Sequence, residues 1–208
     1  MHLPGDERVV LAALPGTDRA TPQLAILSSR RSASGSSVSY GEGVSSVLRP
    51  ATPGDVPAMA RIYGYAVRES VATFDVTDPP LSYWLEKLAS VESGDHVVVV
   101  EDAGMVVGYA CSTRFRPRPA YARTRETSVY LAPGAVGHGL GRLAYSHLLS
   151  LLRADRMHCV VAVVAEPNPA SVALHESLGF ELVGILREVG RKFDRWVDTR
   201  WYQLRLEP

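Results

Sequence analysis

The stretch YLAPGAVGHGLGRLAYSHLL, residues 130–149, joins the end of one apolar run to the start of another through a loop rich in glycine. Upstream, ETSVYLAP (126–133) has the Val, Tyr and Leu content of a strand and stops at Pro133. Downstream, GRLAYSHLLSLLRADR (141–156) repeats apolar residues at three- and four-residue intervals and predicts a long helix. Gly137, Gly139 and Gly141 stand at alternate positions in between. Glycine has no Cβ, so a ligand can approach this backbone closely, and the free N–H groups of the first helical turn then face it. Such a mouth suits an anion, phosphate above all. A surface loop that uses glycine only for its turns has the same composition, and the loop alone does not separate the two readings. GAVGHGLG is not a Walker loop, because no Lys-Ser/Thr follows, and GHGLGR lacks the third glycine of a dinucleotide fingerprint.

Working outward, SVLRPAT (46–52) reads as a strand. PGDVPAMARIYGYAVRES (53–70) opens on Pro53 and Asp55 and then sets Val56, Met59, Ile62, Tyr63 and Ala66 at helical spacing. PPLSYWLEKLASV (79–91) predicts a second helix with Leu81, Trp84, Leu85 and Leu88 on one face. HVVVVEDAGMVVGYACSTR (96–114) is two strands around a tight turn. HCVVAVVAE (158–166) has the continuous apolar content of a strand buried on both faces. NPASVALHESLGF (168–180) is a helix capped by Asn168 and stopped by Gly179, and 181–207 holds two strands around a turn near Asp194. The expected fold is a mixed α/β sheet flanked by helices, in one domain over residues 47–208. Residues 1–46 differ: SSRRSASGSSVSYGEGVSS (28–46) has no periodicity and predicts a disordered extension. A targeting segment, or a start of translation near Val44 or Val47, are alternatives for that stretch.

The 208 residues are 46% hydrophobic, with a formal net charge of zero, which argues against a broad nucleic-acid footprint. No apolar run reaches the ~20 residues of a membrane-spanning helix. Cys111 and Cys159 lie in apolar runs and read as buried reduced thiols, which suits a cytoplasmic setting; no cysteine or histidine spacing indicates a metal site.

Taken in order, LRPAT (48–52), TFD (73–75), GYA (108–110), ETSVYL (126–131), GHGLG (137–141), VVAVVAEPN (160–168), LHESLGF (174–180), GILREVGRK (184–192) and WVDTRWYQ (196–203) form a constellation. Across Val47 to Leu206 the chain resembles the GNAT acyltransferase superfamily, and within it the phosphinothricin and methionine-sulfone N-acetyltransferases. The resemblance implies acetyl-CoA as co-substrate and a small amine as acceptor. It implies that the loop Val136, Gly137, His138, Gly139, Leu140 and Gly141 cradles the pyrophosphate. Val129, Tyr130 and Leu131 would run beside the pantetheine arm, with Asn168 and Ser171 completing the cofactor site. Glu126 matches the family's general base. His175 stands where many relatives have a thiolate-protonating Tyr, and is assigned catalytic or substrate-orienting work. Phe74, Arg116 and Tyr121 match acceptor-side residues, with Arg116 suited to a carboxylate. Two departures stand out: Val136 replaces the usual Gln or Arg, and Ala122 the usual Arg. A homodimer is also implied. Two other readings stay open, acetylation of a protein or peptide amine, and a non-catalytic acyl-CoA sensor.

Overall fold

The valine-rich strand β3 (His96–Asp102) and its partner β4 (Met105–Arg114) form the hairpin expected for 96–114, turning through Ala103 and Gly104, both at positive φ. Around them the computed structural model, which describes residues 36–39 and 45–206, builds one sheet. Its eight strands run in the order β1-β2-β3-β4-β5-β6-β8-β7, where β1 is Ser36–Ser39, β2 Ser45–Pro50, β5 Thr124–Leu131, β6 Cys159–Ala165, β7 Glu181–Lys192 and β8 Arg195–Arg205. All pairings are antiparallel except β5 with β6. That exception follows from the connection, since β5 and β6 are joined by helix α3 (Leu140–Ala154), and a crossover helix returns the chain in the same direction.

Helices α1 (Val56–Glu69) and α2 (Leu81–Leu88) cover one face, and α3 covers the other. Under α1 and α2 the rings of Tyr63, Trp84, Tyr109 and Tyr130 pack at centroid distances of 5.0–5.7 Å. On the opposite face α3 buries Tyr145, Leu148 and Leu152. Arg49 on β2 forks onto Asp55 at 2.7 and 2.8 Å, just before α1, and its Nε reaches Glu101 on β3 at 2.9 Å. This fork ties the entry of α1 to the sheet and holds the Asp55 carboxyl down at about 2. Part of the LRPAT pattern is therefore structural.

One expectation is corrected. Residues 36–39 are a strand, not structureless: Ser36 pairs with Leu48 and Ser39 with Ser45. The free backbone groups of the β2 edge accept any extended neighbour, and that pairing leaves no alternation in the sequence to read. The other residues of the extension, 1–35 and 40–44, lie outside the described residues. In α2 only Trp84 is buried; Leu81 and Leu85 are exposed, because the helix is two turns long and meets the domain mainly through one ring. Strand β7 is irregular: Leu186 pairs with Thr199 and Gly190 with Val197, so extra β7 residues bulge out, with Glu188 at positive φ. No helix among the described residues is long and apolar enough to cross a membrane.

Candidate active site

Strands β5 and β6 pair over three positions only, Thr124 with Cys159, Arg125 with Val160 and Glu126 with Val161. Past Glu126 they diverge, while each stays bonded to its outer neighbour, β4 or β8. The sheet is thus split from Thr127 onward. The glycine loop after β5 and the Asn168 turn after β6 both lie at the open end.

Backbone alternation decides what faces the split. Ala132 N–H donates to Val107 O at 2.8 Å, across from β4. In an antiparallel ladder the next residue points its N–H and C=O the other way. Leu131 and Val129 therefore offer backbone groups to the opening, whereas those of Tyr130 belong to the β4 ladder. This corrects the expectation for Tyr130, whose ring is also buried between Tyr63 and Tyr109.

A cleft of about 100 Å³ opens here, lined by Leu131, Pro133 and Val136 on the loop side, Pro167 and Asn168 after β6, and Tyr65, Glu69 and the residues 70–72 that follow α1. Gly137 and Gly139 have φ of +88° and +76°, and a Cβ on either would meet no atom within 4 Å. The glycines thus serve backbone conformation and leave open space in front of the loop. Gly139 caps α3 without any side-chain hydrogen bond. The first α3 bond of the turn runs from Leu143 N–H to Gly139 O, so the N–H groups of Leu140, Gly141 and Arg142 have no partner within the helix. His138 is exposed on the same loop. A cleft bordered by the loop at Val136, with the first-turn N–H groups of α3 a few residues further on, fits a thioester arm ending in a pyrophosphate.

Asn168 lines the cleft and caps helix α4 (Pro169–Ser177), its Oδ1 accepting from Ser171 N–H at 3.1 Å. Ser171 itself is fully buried, with its hydroxyl 3.3 Å from His175 Nδ1. The structure therefore turns Ser171 inward, away from the place expected for it at the cofactor, since the first turn of α4 packs that face on the domain.

His175 is 1% exposed. Its Nδ1 lies 2.7 Å from the Ser171 carbonyl, which can only accept, so Nδ1 carries the proton. Its Nε2 then accepts from the Tyr145 hydroxyl at 3.2 Å, and Tyr145 accepts from Thr127 Oγ1 at 2.6 Å. Burial pushes the imidazole down to about 4. Adjacent strand residues point to opposite faces, so Thr127 and its network lie on the α3 side and Glu126 on the α1 side. The structure does not bring Glu126 and His175 onto one face. Tyr145 and Thr127 were missed in the sequence because a helix-face Tyr and a strand Thr read as ordinary core. A neutral buried His charges only on unfolding at mild acid. Its contribution is complete above the unfolded value near 6.5 and is lost as pH falls toward 4, a swing of about 3 kcal/mol. Between pH 7 and 4.5 the urea midpoint of the native chain should therefore fall more steeply than that of His175→Gln; parallel slopes would contradict the neutral imidazole.

On the α1 face Glu126 is 5% exposed and Arg116 Nη1 lies 4.0 Å from its Oε2. The Arg116 guanidinium stacks on the Phe115 ring at 4.3 Å, and that ring meets Tyr121 edge-on at 5.6 Å. Glu126, Arg116 and Tyr121 are thus brought together. The contacts of Phe74 run instead to β7, where its ring lies against Gly190.

Comparison with known proteins gives one consistent result. The acetyltransferase (GNAT) family model matches residues 59–180. The chain is 41% identical over 162 residues to a phosphinothricin N-acetyltransferase of Streptomyces coelicolor, covering 75% of this chain and 94% of that protein. It is 36% identical over 169 residues to an L-methionine sulfoximine/L-methionine sulfone acetyltransferase of Pseudomonas paraeruginosa, covering 79% and 97%. Among solved structures, a phosphinothricin acetyltransferase of Sinorhizobium meliloti in complex with acetyl-CoA superposes with a TM-score of 0.74 at 36% identity, covering 77% of this chain and 88% of that one.

Proposed function

The chain belongs to the acetyltransferase (GNAT) family and is an acetyl-CoA-dependent N-acetyltransferase, and from that premise we propose that its acceptor is a free amino acid or analogue of the phosphinothricin or methionine sulfone/sulfoximine type, acetylated on its α-amine. One observation carries the acceptor class: a carboxylate and a guanidinium stand 4.0 Å apart on the α1 face. In an α-amino acid a single carbon separates amine from carboxylate, so one small molecule can present the first to Glu126 and the second to Arg116.

Acetyl-CoA supplies an activated acyl carbon. The N–H groups of Leu140, Gly141 and Arg142 hold its pyrophosphate, while Val136, Gly137, His138 and Gly139 shape the approach. Since backbone groups do the holding, Val136 in place of Gln or Arg is tolerated. The outward-turned backbone of Val129 and Leu131 guides the arm, and Asn168 borders it. Glu126 takes the proton of the acceptor ammonium, so that the amine lone pair can attack the thioester carbon; the C–S bond then breaks, and the CoA thiolate leaves with the proton that the nitrogen gives up as it becomes an amide. Arg116 orients the acceptor through its carboxylate, with Phe115 and Tyr121 bracing the guanidinium and Phe74 walling the acceptor. His175 works at one remove: through Tyr145 it fixes Thr127, the first residue beyond the β5–β6 pairing, and so holds the opening from the α3 face rather than acting on the base.

Arg116→Met should lower kcat/KM for α-amino acids by on the order of 10–100-fold, the loss expected for a charged hydrogen bond. The same change should alter turnover of a simple amine without a carboxylate far less. A thiol-release assay over amino acids, sulfoximines and plain amines reads both. Equal losses on both acceptor types, or a preference of the native enzyme for peptide amines, would exclude this acceptor.

We also infer a homodimer and a cytoplasmic setting. Edge strand β7 exposes Leu182, Val183, Leu186 and Val189, and the hairpin end exposes Phe193 and Trp196, apolar surface suited to a second copy. Light scattering should give twice the chain mass, and Val183→Lys should reduce it to that of one chain. The buried free thiols Cys111 and Cys159 suit a reducing compartment.

A further inference from the structure

Segment 73–75, between α1 and α2, is held from the far edge of the sheet. Lys192, the last residue of β7, is 4% exposed, and its Nζ donates to the Thr73 carbonyl at 2.7 Å. Two residues earlier, Gly190 leaves a hollow that Phe74 fills: a Cβ there would stand 2.2 Å from Phe74 Cε2 and 2.5 Å from Cζ. The bulge between Leu186 and Gly190 sets this end of β7 in place. From the other side the Tyr63 hydroxyl meets Thr73 Oγ1 and the Asp75 carboxylate, both at 2.7 Å, and the Tyr63 ring meets Tyr130 of β5 edge-on at 5.0 Å.

The ammonium donates to the Thr73 carbonyl and lies 5.3 Å from the centre of the Phe193 ring; burying a charge on such partners is a costly way to fill space, and an apolar side chain would do that at lower cost. Burial depresses the Lys192 amine to about 8, and the nearby Asp75 charge works against that fall. What the lysine adds over a methionine is direction: it fixes the carbonyl of the residue next to Phe74. We propose that Lys192 and Gly190 form a clamp that positions Phe74 as the acceptor-side wall, so that the β7 end, distant in sequence from the base and the cofactor loop, sets acceptor fit. Lys192 is a positioning residue here; it acts through Thr73 and Phe74 and not on the reacting atoms. The inference rests on Phe74 bordering the acceptor, as in the reading above.

The clamp predicts a split that general destabilisation does not. Lys192→Met should raise KM for the amino-acid acceptor about tenfold or more, the scale of a lost charged hydrogen bond, and leave KM for acetyl-CoA unchanged. Amide hydrogen exchange of residues 71–76 should speed up while that of β5 does not. Gly190→Ala, which keeps the lysine and displaces the Phe74 ring, should show the same KM split. Parallel changes in both KM values, or unchanged exchange in 71–76, would overturn the clamp. If Lys192→Met does not fold, Gly190→Ala decides by the same two readouts. Should the native enzyme turn over no amino acid, the acceptor reading fails, while the exchange measurement still tests the clamp by itself.

Discussion

Glu126→Gln is expected to lower kcat by ~10²–10⁴-fold, the range that a positioned general base contributes, with acetyl-CoA affinity little changed. Gln matches Glu in size, so the substitution removes basicity without opening a hole in a side chain that is 5% exposed. The low-pH limb of kcat/KM, in which the base must give up its proton, should vanish with it. Arg116 stays in place in this variant, so KM for the amino acid should move far less than kcat. Because Glu126 and the His175 network lie on opposite faces of β5, the two make separate contributions. The double variant Glu126→Gln, His175→Ala should lose about the product of the single losses. A double variant no worse than Glu126→Gln alone would place both residues on one proton path. Near-full activity of Glu126→Gln would reduce Glu126 to a structural carboxylate.

Gly139→Asp should all but abolish acetyl-CoA binding while the fold persists. The residue has φ +76°, and an added Cβ meets nothing within 4 Å, so the structural cost is confined to the left-handed backbone, ~1–2 kcal/mol and least for Asp and Asn. The carboxylate, however, stands at the mouth of α3, where a pyrophosphate must come. Two like charges ~4 Å apart at an effective dielectric of ~20 repel by about 4 kcal/mol, on the order of 10³ in affinity. Gly139→Asn carries the same backbone cost without the charge and serves as the control. Calorimetry should show a much larger loss for Asp than for Asn. Equal affinities for both would remove the loop from the phosphate site.

Much of this protein is local and could be read directly. Alternation or continuous apolarity marked β3, β4, β5 and β6, three- and four-residue spacing marked α1 and α3, and Asn168 and Gly179 bounded α4, because strand, helix and cap each depend on residues a few positions apart. The glycine loop was legible for the same reason: a strand, alternate glycines and a helix suffice to describe an anion mouth. Glu126 was legible only through its neighbours in ETSVYL, since a lone strand glutamate has no pattern of its own.

What the sequence by itself determined is thus the set of elements from β2 to β8, their order and the place of the glycine loop. Tertiary structure decided everything that depends on which face or which edge a residue occupies. It parted β5 from β6 after Glu126, turned the Tyr130 backbone to β4 and that of Val129 and Leu131 to the opening, set Glu126 and His175 on opposite faces, and joined Arg116 to Glu126. It also brought Lys192 to Thr73 across 119 positions of chain. The physical reason is common to all of these. Periodicity records whether a side chain is buried, but not what it is buried against. That is set by how strands register and helices pack, which the spacing of residues along the chain does not record.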